Sequence, residues 1–410
     1  MSEQSVCVVI GKNFGDEGKG LAVDHLCAEG DSLVIKHNGG AQAGHTVEIG
    51  EKRFVFHQLS AGSFRHCDTF WADTYFPDLY KLEEEAAQFC SISGFVPRIF
   101  ADVNTPVTLI DDVLINMLLE TKRGSARHGS CGMGINEAYL RTKAGFGMTV
   151  SDFLSKSTKE LTDKILNIRQ EYVRKHLEEC GIHPDEETVP NLQEYLELLR
   201  SSNVVRNAVE EMQKNADRHV SLAGGTDAFL RGRERIVFET GQGLLLDAEY
   251  KAYSPHLTMS RTGVYNPAHM ALEKGLSLTE VIYVTRSYVT RHGAGPLPYE
   301  CRREELCIRE QDLTNIENPW QGSIRYGRHG NIQEFLAPVQ GDLSELGLCQ
   351  QEPRISLFIT HLNETDQRMI TSEGDIELEK FLRLPGIRDL FQRIYLSDAR
   401  ESQHTKWLEE

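Results

Sequence analysis

Short apolar runs rich in β-branched residues, at Val6 to Ile10, Ser32 to Ile35, Ile236 to Phe238, Val281 to Val284 and Ile355 to Ile359, alternate with stretches of helical periodicity. Runs of this length with no polar alternation suit strands buried on both faces. Their alternation with helices predicts an α/β fold with a mainly parallel central sheet flanked by helices. Between about residues 151 and 231 the pattern changes. Leu154, Leu161, Ile165, Ile168 and Tyr172 recur at helical intervals, as do Leu192, Tyr195, Leu196 and Leu199, with charged residues between them. This predicts a helical insertion, linked through Gly181-Ile-His-Pro184. Ala216 to Gly232, with Gly224-Gly225, reads as a loop or lid. No repeat or low-complexity tract breaks the chain, so residues 1–410 are expected to form one domain carrying the insertion.

The first run leads into Gly11-Lys-Asn-Phe-Gly-Asp-Glu-Gly-Lys-Gly20 and then an apolar-periodic helix from Leu21. Buried strand, glycine turn and helix start together describe a phosphate-binding element, because unpaired amides at a helix N-terminus attract anions. The spacing is not that of a Walker A loop. Asn13 stands where that pattern needs glycine, and Gly20 replaces its metal-binding Ser/Thr. Asp16 and Glu17 inside the loop would repel a triphosphate unless a cation or a reacting proton lay between, which points to chemistry beside phosphate.

Composition narrows the partners. With 61 acidic and 44 basic side chains the net charge is −17, which disfavours nucleic acid and anionic membrane as partners; a polyanionic ligand needs a local basic pocket. Nine scattered cysteines without a CxxC pair, an N-terminus without a charged-then-apolar segment, and no apolar run long enough for a membrane span lead us to expect a cytoplasmic enzyme with reduced thiols.

Gly15-Asp-Glu-Gly-Lys-Gly20 and Gly39-Gly-Ala-Gln-Ala-Gly-His-Thr46 resemble the two N-terminal signatures of the adenylosuccinate synthetase family. The likeness recurs at Glu239-Thr-Gly-Gln-Gly-Leu-Leu-Leu-Asp247, Leu257-Thr-Met-Ser-Arg-Thr-Gly263 and Thr290-Arg-His-Gly-Ala-Gly-Pro-Leu-Pro298, weakening towards the C-terminus. The resemblance implies a P-loop-related fold and a reaction in which a nucleoside triphosphate phosphorylates the oxygen of a 6-oxopurine nucleotide. The amino group of aspartate then displaces that phosphate.

On that reading Asp16 is the base that removes the purine N1 proton, and His45 is a general acid whose imidazolium neutralises charge on the oxygen. Lys19 holds the β- and γ-phosphates, with Gly15, Glu17, Gly18, Gly20, Gly44, Thr46, His361 and Asn363 completing the donor site. Mg²⁺ is the implied cofactor, held by Asp16, the Gly44 carbonyl and phosphate oxygens. The acceptor purine falls to Asn13, Gln42, Ser130, Cys131, Gln242, Thr258 and Arg261, and the amino acid to Ser323, Arg325 and Arg328. A homodimer is expected. Each residue also has an ordinary reading: Asp16 and Gln242 as turn residues, His45 as a bonded core histidine, Arg325 and Arg328 as a solvated basic loop.

Departures from the family pattern carry information of their own. The guanine-reading motif TKLD aligns with Thr360-His-Leu-Asn363, and the ribbon that completes the guanine pocket becomes Leu396-Ser-Asp-Ala-Arg400. An aspartate only accepts and so pairs with guanine's two donors. An asparagine offers a donor and an acceptor, as adenine requires, so ATP is expected as donor. At the acceptor 5′-phosphate site only Thr258 is kept unchanged; Gln42, Cys131 and the arginine-free stretch Gly145-Phe-Gly147 replace the rest, and Met133 replaces an arginine. Three readings stand: an ATP-favouring synthetase of this kind, a specialised paralogue with another acceptor such as a guanine or deoxynucleotide, and a nucleotide-binding regulator without turnover. Retention of Asp16, Lys19 and His45 together argues against the regulator.

Overall fold

The computed structural model describes residues 4–28, 30–124, 132–185, 187, 189–224, 226–306, 308, 322–348 and 352–409. Its first strand, Ser5–Gly11, lies mid-way across a ten-stranded sheet. On one side follow Glu280–Arg286, Arg354–Thr360, Arg393–Leu396 and Lys406–Glu409; on the other follow Arg235–Gly243, Ser32–Lys36, Asp68–Trp71, Ile99–Ala101 and Val220–Leu222. All neighbours are parallel except the last pair on the C-terminal side, where Leu396 opposes Lys406. Each predicted strand forms, extended by one to several residues at its ends.

Alternation along the first strand explains the two packed layers. Val6, Val8 and Ile10 point into one core with Leu33, Ile35, Phe238 and Tyr283; Cys7 and Val9 point into the other with Val34, Trp71 and Val237. The helices Val150–Ser155, Thr158–Ile168, Pro190–Arg200 and Ser202–His219 join this second core through Phe153, Leu161, Ile165, Leu196, Val209 and Met212.

One expectation is corrected here. The stretch read as a loop from Ala216 contains the last turn of Ser202–His219, the edge strand Val220–Leu222 and the helix Thr226–Arg231. Buried Met212 and Ala216 keep the helical spacing, and Val220 pairs with Ile99. Gly224 comes only after the strand has ended. Among the described residues no helix is long and apolar enough to cross a membrane.

Two buried histidines tie stability to pH. Burial pushes His37 down to about 3, and burial with the nearby Lys12 does the same to His329. A folded value below the ordinary 6.5 means that the unfolded chain binds more protons as pH falls from about 6.5 towards 3. Their contribution is therefore complete above the window and lost on descending through it. Asp342, pushed up by burial to about 7, has the opposite sign and offsets part of this. Urea unfolding should accordingly give a lower unfolding free energy near pH 4.5 than near pH 7, by on the order of a few kcal/mol. His329→Gln should shrink the difference; an unchanged difference would remove His329 from the account.

Candidate active site

The turn between the first strand and the helix Lys19–Leu26 is shaped by a buried carboxylate. Gly15 and Gly18 take φ values of 116° and 89°, a region open to glycine, and Gly18 caps the helix. Glu17, 3% exposed, points into the turn, and its Oε1 accepts from the amides of Asn13 at 3.0 Å and Gly15 at 2.8 Å. Lys19 Nζ donates to the Gly15 carbonyl at 2.6 Å and stands 3.4 Å from Glu17 Oε2. A Cβ at Gly11 would lie 2.3 Å from that oxygen, so the strand must end in glycine. Glu17, expected beside phosphate, thus braces the loop from inside. Asn13, expected at the acceptor, is also occupied: its amide donates to Thr285 Oγ1 and its oxygen accepts from Lys12 Nζ, both at 3.1 Å.

Asp16, next to Glu17, faces a cleft with its side chain 23% exposed. Gly15, Gly18, Lys19 and Gly20 line the same cleft, with Gly44, His45 and Thr46 at the start of the strand His45–Ile49, and His361 and Asn363 just beyond Arg354–Thr360. Of the residues assigned to the catalytic and donor groups, all but Glu17 therefore converge. Gly20 has a steric reason to replace Ser or Thr, since a Cβ there would meet the Thr46 carbonyl at 2.6 Å.

His45 is 5% exposed, and its Nδ1 meets Glu239 Oε1 in a short contact. Burial pushes His45 down to about 4 against the upward pull of Glu239. Burial alone would raise Glu239, but Lys36 at 3.6 Å and His45 hold it at about 2. Burial thus lowers the ring while the bonded carboxylate raises it, and the same pairing holds Glu239 below the usual carboxylate range.

The acceptor residues divide. Gln42 and Gln242 converge above Gly39, where a Cβ would lie 2.9 Å from Gln42 Nε2 and 3.1 Å from Gln242 Oε1. Both amide oxygens are buried without a hydrogen-bond partner among the described residues, and Gln242 is held at φ 57° to place its side chain there. Thr258 Oγ1 meets Ser260 Oγ at 3.2 Å. Arg261, considered as a phosphate arginine, is instead paired with Asp247 at 3.1 Å and Glu345 at 3.2 Å and stacks on Tyr265. Its charge is already compensated within the chain. Ser130 and Cys131 lie outside the described residues.

The expected amino-acid clamp is likewise engaged. Arg325 pairs with Glu300 and donates to the carbonyls of Gly293 and Gly295; Arg328 pairs with Asp375 at 2.9 Å. The two guanidiniums answer to different carboxylates, so the joint clamp expected of them is not formed here. Ser323 lies in a bend just before the strand Arg325–Gly327.

Three residues at the site escaped sequence reasoning. His292 places Nε2 3.7 Å from Asp16 Oδ2, and Arg286 Nε donates to the Asp16 carbonyl while lining the cleft. Glu239 is the third. A carboxylate inside an apolar strand demands a partner, which was a signal available in the sequence. His292 carried a signal too, standing inside the family-like stretch Thr290 to Pro298, whereas Arg286 gave none, because its partner is distant in sequence.

Replacing Glu239 by Gln would leave Lys36, 3% exposed, without its counter-charge. Urea unfolding of Glu239→Gln should show a loss of about 3–5 kcal/mol. Adding Lys36→Met should restore part of it, and a double variant as unstable as the single one would count against the pairing.

Comparison with known proteins gives the chain its place. A family model described as adenylosuccinate synthetase matches residues 8–315. The adenylosuccinate synthetase of Thermus thermophilus is 30% identical over 402 residues, covering 93% of this chain and 87% of that protein. The adenylosuccinate synthetase of Pseudomonas paraeruginosa is 29% identical over 302 residues, taking in 72% of this chain and 64% of the relative, less than two thirds of its length. Among solved structures, the succinoaminodeoxyadenylate synthetase of cyanophage S-2L, bound to dGMP and to dATP as an energy donor, shares the fold with a TM-score of 0.62 at 14% identity, covering 98% of this chain and 95% of that one. On the family match and the Thermus identity together, the chain belongs to the adenylosuccinate synthetase family.

Proposed function

We propose that this chain is a nucleoside-triphosphate-dependent ligase that joins an amino acid, aspartate in our reading, to a 6-oxopurine nucleotide, with ATP as the favoured donor. The observation that carries the proposal is the single cleft on which Asp16, Lys19, His45 and Asn363 meet. Asp16 takes the N1 proton, and the purine oxygen forms a bond to the γ-phosphorus as the bond to the β,γ-bridging oxygen breaks. The amine then adds to C6 and phosphate leaves with the oxygen. His45, held by Glu239, presents its other ring nitrogen where negative charge gathers. Lys19 would exchange the Gly15 carbonyl for phosphate oxygens. The Asp16 carboxylate and the Gly44 carbonyl supply hard oxygen donors that would hold Mg²⁺ beside the phosphates, where it would neutralise charge. No group of three or more acidic, His or Cys ligands occurs among the described residues, which suits an ion completed by substrate oxygens. Aspartate rests on family membership alone, since Arg325 and Arg328 would have to change partners to receive it.

A second reading keeps the ligase and changes the acceptor to a guanine nucleotide. The two unpartnered amide oxygens of Gln42 and Gln242 suit a purine with an exocyclic 2-amino group, which hypoxanthine lacks. The similarly folded cyanophage enzyme bound to dGMP supports it. Phosphate release and product mass with IMP against GMP or dGMP, each with Mg²⁺, donor and aspartate, decide between the readings; release with none of them refutes both.

If Asp16 is the base, Asp16→Asn should preserve nucleotide binding and lose at least about a hundredfold in rate, the usual worth of a positioned base. Near-normal turnover would remove Asp16 from the mechanism. For donor choice, guanine against Asn363 would leave a buried donor unpaired, at roughly 1–3 kcal/mol, so kcat/KM for ATP or dATP should exceed that for GTP by about ten- to a hundredfold. Asn363→Asp should narrow the gap. Strong GTP preference in the unmodified protein would refute the assignment.

A further inference from the structure

Arg291 is 1% exposed, and no carboxylate among the described residues pairs with it. Its Nη1 donates to the Pro296 carbonyl at 2.7 Å and its Nη2 to the His256 carbonyl at 3.2 Å, while Nε has no hydrogen-bond partner among the described residues. The guanidinium carbon lies 4.6 Å from the ring centre of Phe14 and 5.7 Å from that of Tyr253. Burial, with Arg325 nearby, pushes its pKa down to about 10. A buried cation held by carbonyls and ring faces carries a desolvation cost that an apolar side chain of similar length would not. What the arginine adds is a rigid fork that reaches several segments at once.

Those segments are the ones that the proposed reaction must hold in register. Phe14 belongs to the glycine turn, two residues before Asp16, and His256 lies two residues before Thr258 in the acceptor segment. Pro296 ends the bend at residues 293–295, which follows His292, whose Nε2 stands 3.7 Å from Asp16 Oδ2. Backbone bonds already link turn and acceptor segment on their other side: the Leu245 amide donates to the Asn13 carbonyl and the Thr258 amide to the Leu246 carbonyl, both at 2.9 Å. Arg291 closes this circuit, bonded to the acceptor segment and seated over Phe14. Gly295, at φ 103°, leaves room for it, since a Cβ there would collide with Nη2 and lie 2.8 Å from the His256 Cβ.

We propose that Arg291 is a positioning residue of the ligase reaction, a strut that fixes the distance between the base Asp16 and an acceptor purine held at Gln242 and Thr258. The inference rests on the function proposed above. Buried as it is, Arg291 reaches no substrate and acts through Phe14, His256 and the bend after His292. A base works only within hydrogen-bond reach of its proton, and a displacement of about 1 Å can cost about a hundredfold in rate.

Steady-state kinetics of the full chain with Mg²⁺, ATP, aspartate and IMP or GMP test the strut in Arg291→Met and Arg291→Lys. In Arg291→Met kcat should fall about a hundredfold, while the Kd for ADP, which reports the glycine turn itself, stays within about threefold. Arg291→Lys keeps the charge but not the fork and should lose nearly as much. A kcat in Arg291→Met within about threefold of the unmodified protein overturns the proposal, and so does an equal loss of ADP affinity, the mark of general loosening. Full activity in Arg291→Lys would assign the effect to charge and overturn the strut as well. If the unmodified protein turns over neither acceptor, the ligase reading fails and binding decides the strut. With ADP saturating, Arg291→Met should then weaken GMP about tenfold, and unchanged GMP affinity overturns the proposal.

Discussion

The geometry of the cleft depends on one buried charge, the Glu17 carboxylate folded into its own loop. A carboxylate out of water is tolerated only when its oxygens are satisfied, and here two backbone amides and Lys19 do so. Those amides are the kind that would otherwise hold a phosphate. Spending them on Glu17 fixes the turn before any ligand arrives and turns the adjacent Asp16 outward. Two neighbouring acids thereby take opposite positions, one bracing the loop from inside and one facing the cleft.

A second buried charge system lies beneath the strand His45–Ile49. Lys36, Glu239 and His45 form a chain in which the lysine keeps the glutamate ionised, and the glutamate holds the ring by Nδ1. Glu239 also accepts from the Ala61 amide at 3.1 Å, so neither carboxylate oxygen is idle. Burial lowers the ring's pKa, and the nearby carboxylate pulls it back up. Added negative charge at the open nitrogen would act in the same sense as Glu239 and favour protonation.

The central five strands and the glycine turn were legible because both rest on local pattern: unbroken β-branched runs and left-handed positions that only glycine fills without strain. The outer strands were not. Asp68–Trp71, Ile99–Ala101 and Arg393–Leu396 are three or four residues long, too short for a period to show, and owe their place to ladder pairing with distant segments. At the site, residues carried by a dense motif came together at one cleft. The partners that Arg261, Arg325 and Arg328 hold in the structure, Asp247, Glu345, Glu300 and Asp375, lie 14 to 84 positions away in sequence, and nothing local announces them. Charge in a sequence reports capacity to pair, not the partner chosen.

The segment aligned with the family's base-reading motif is mechanically joined to the glycine loop. Thr360 Oγ1 donates to the Glu17 carbonyl at 2.7 Å, and its methyl lies 3.1 Å from where a Cβ of Gly18 would stand. His361 then turns through φ 60°, and the Leu362 amide bonds the Ser397 carbonyl of the neighbouring ribbon. The strand end is locked to the loop, while Asn363 sits three residues later, past the turn. Thr360, the first residue of the segment aligned with the family's base-reading motif, is thus a structural member, tied at once to the loop and to the neighbouring strand.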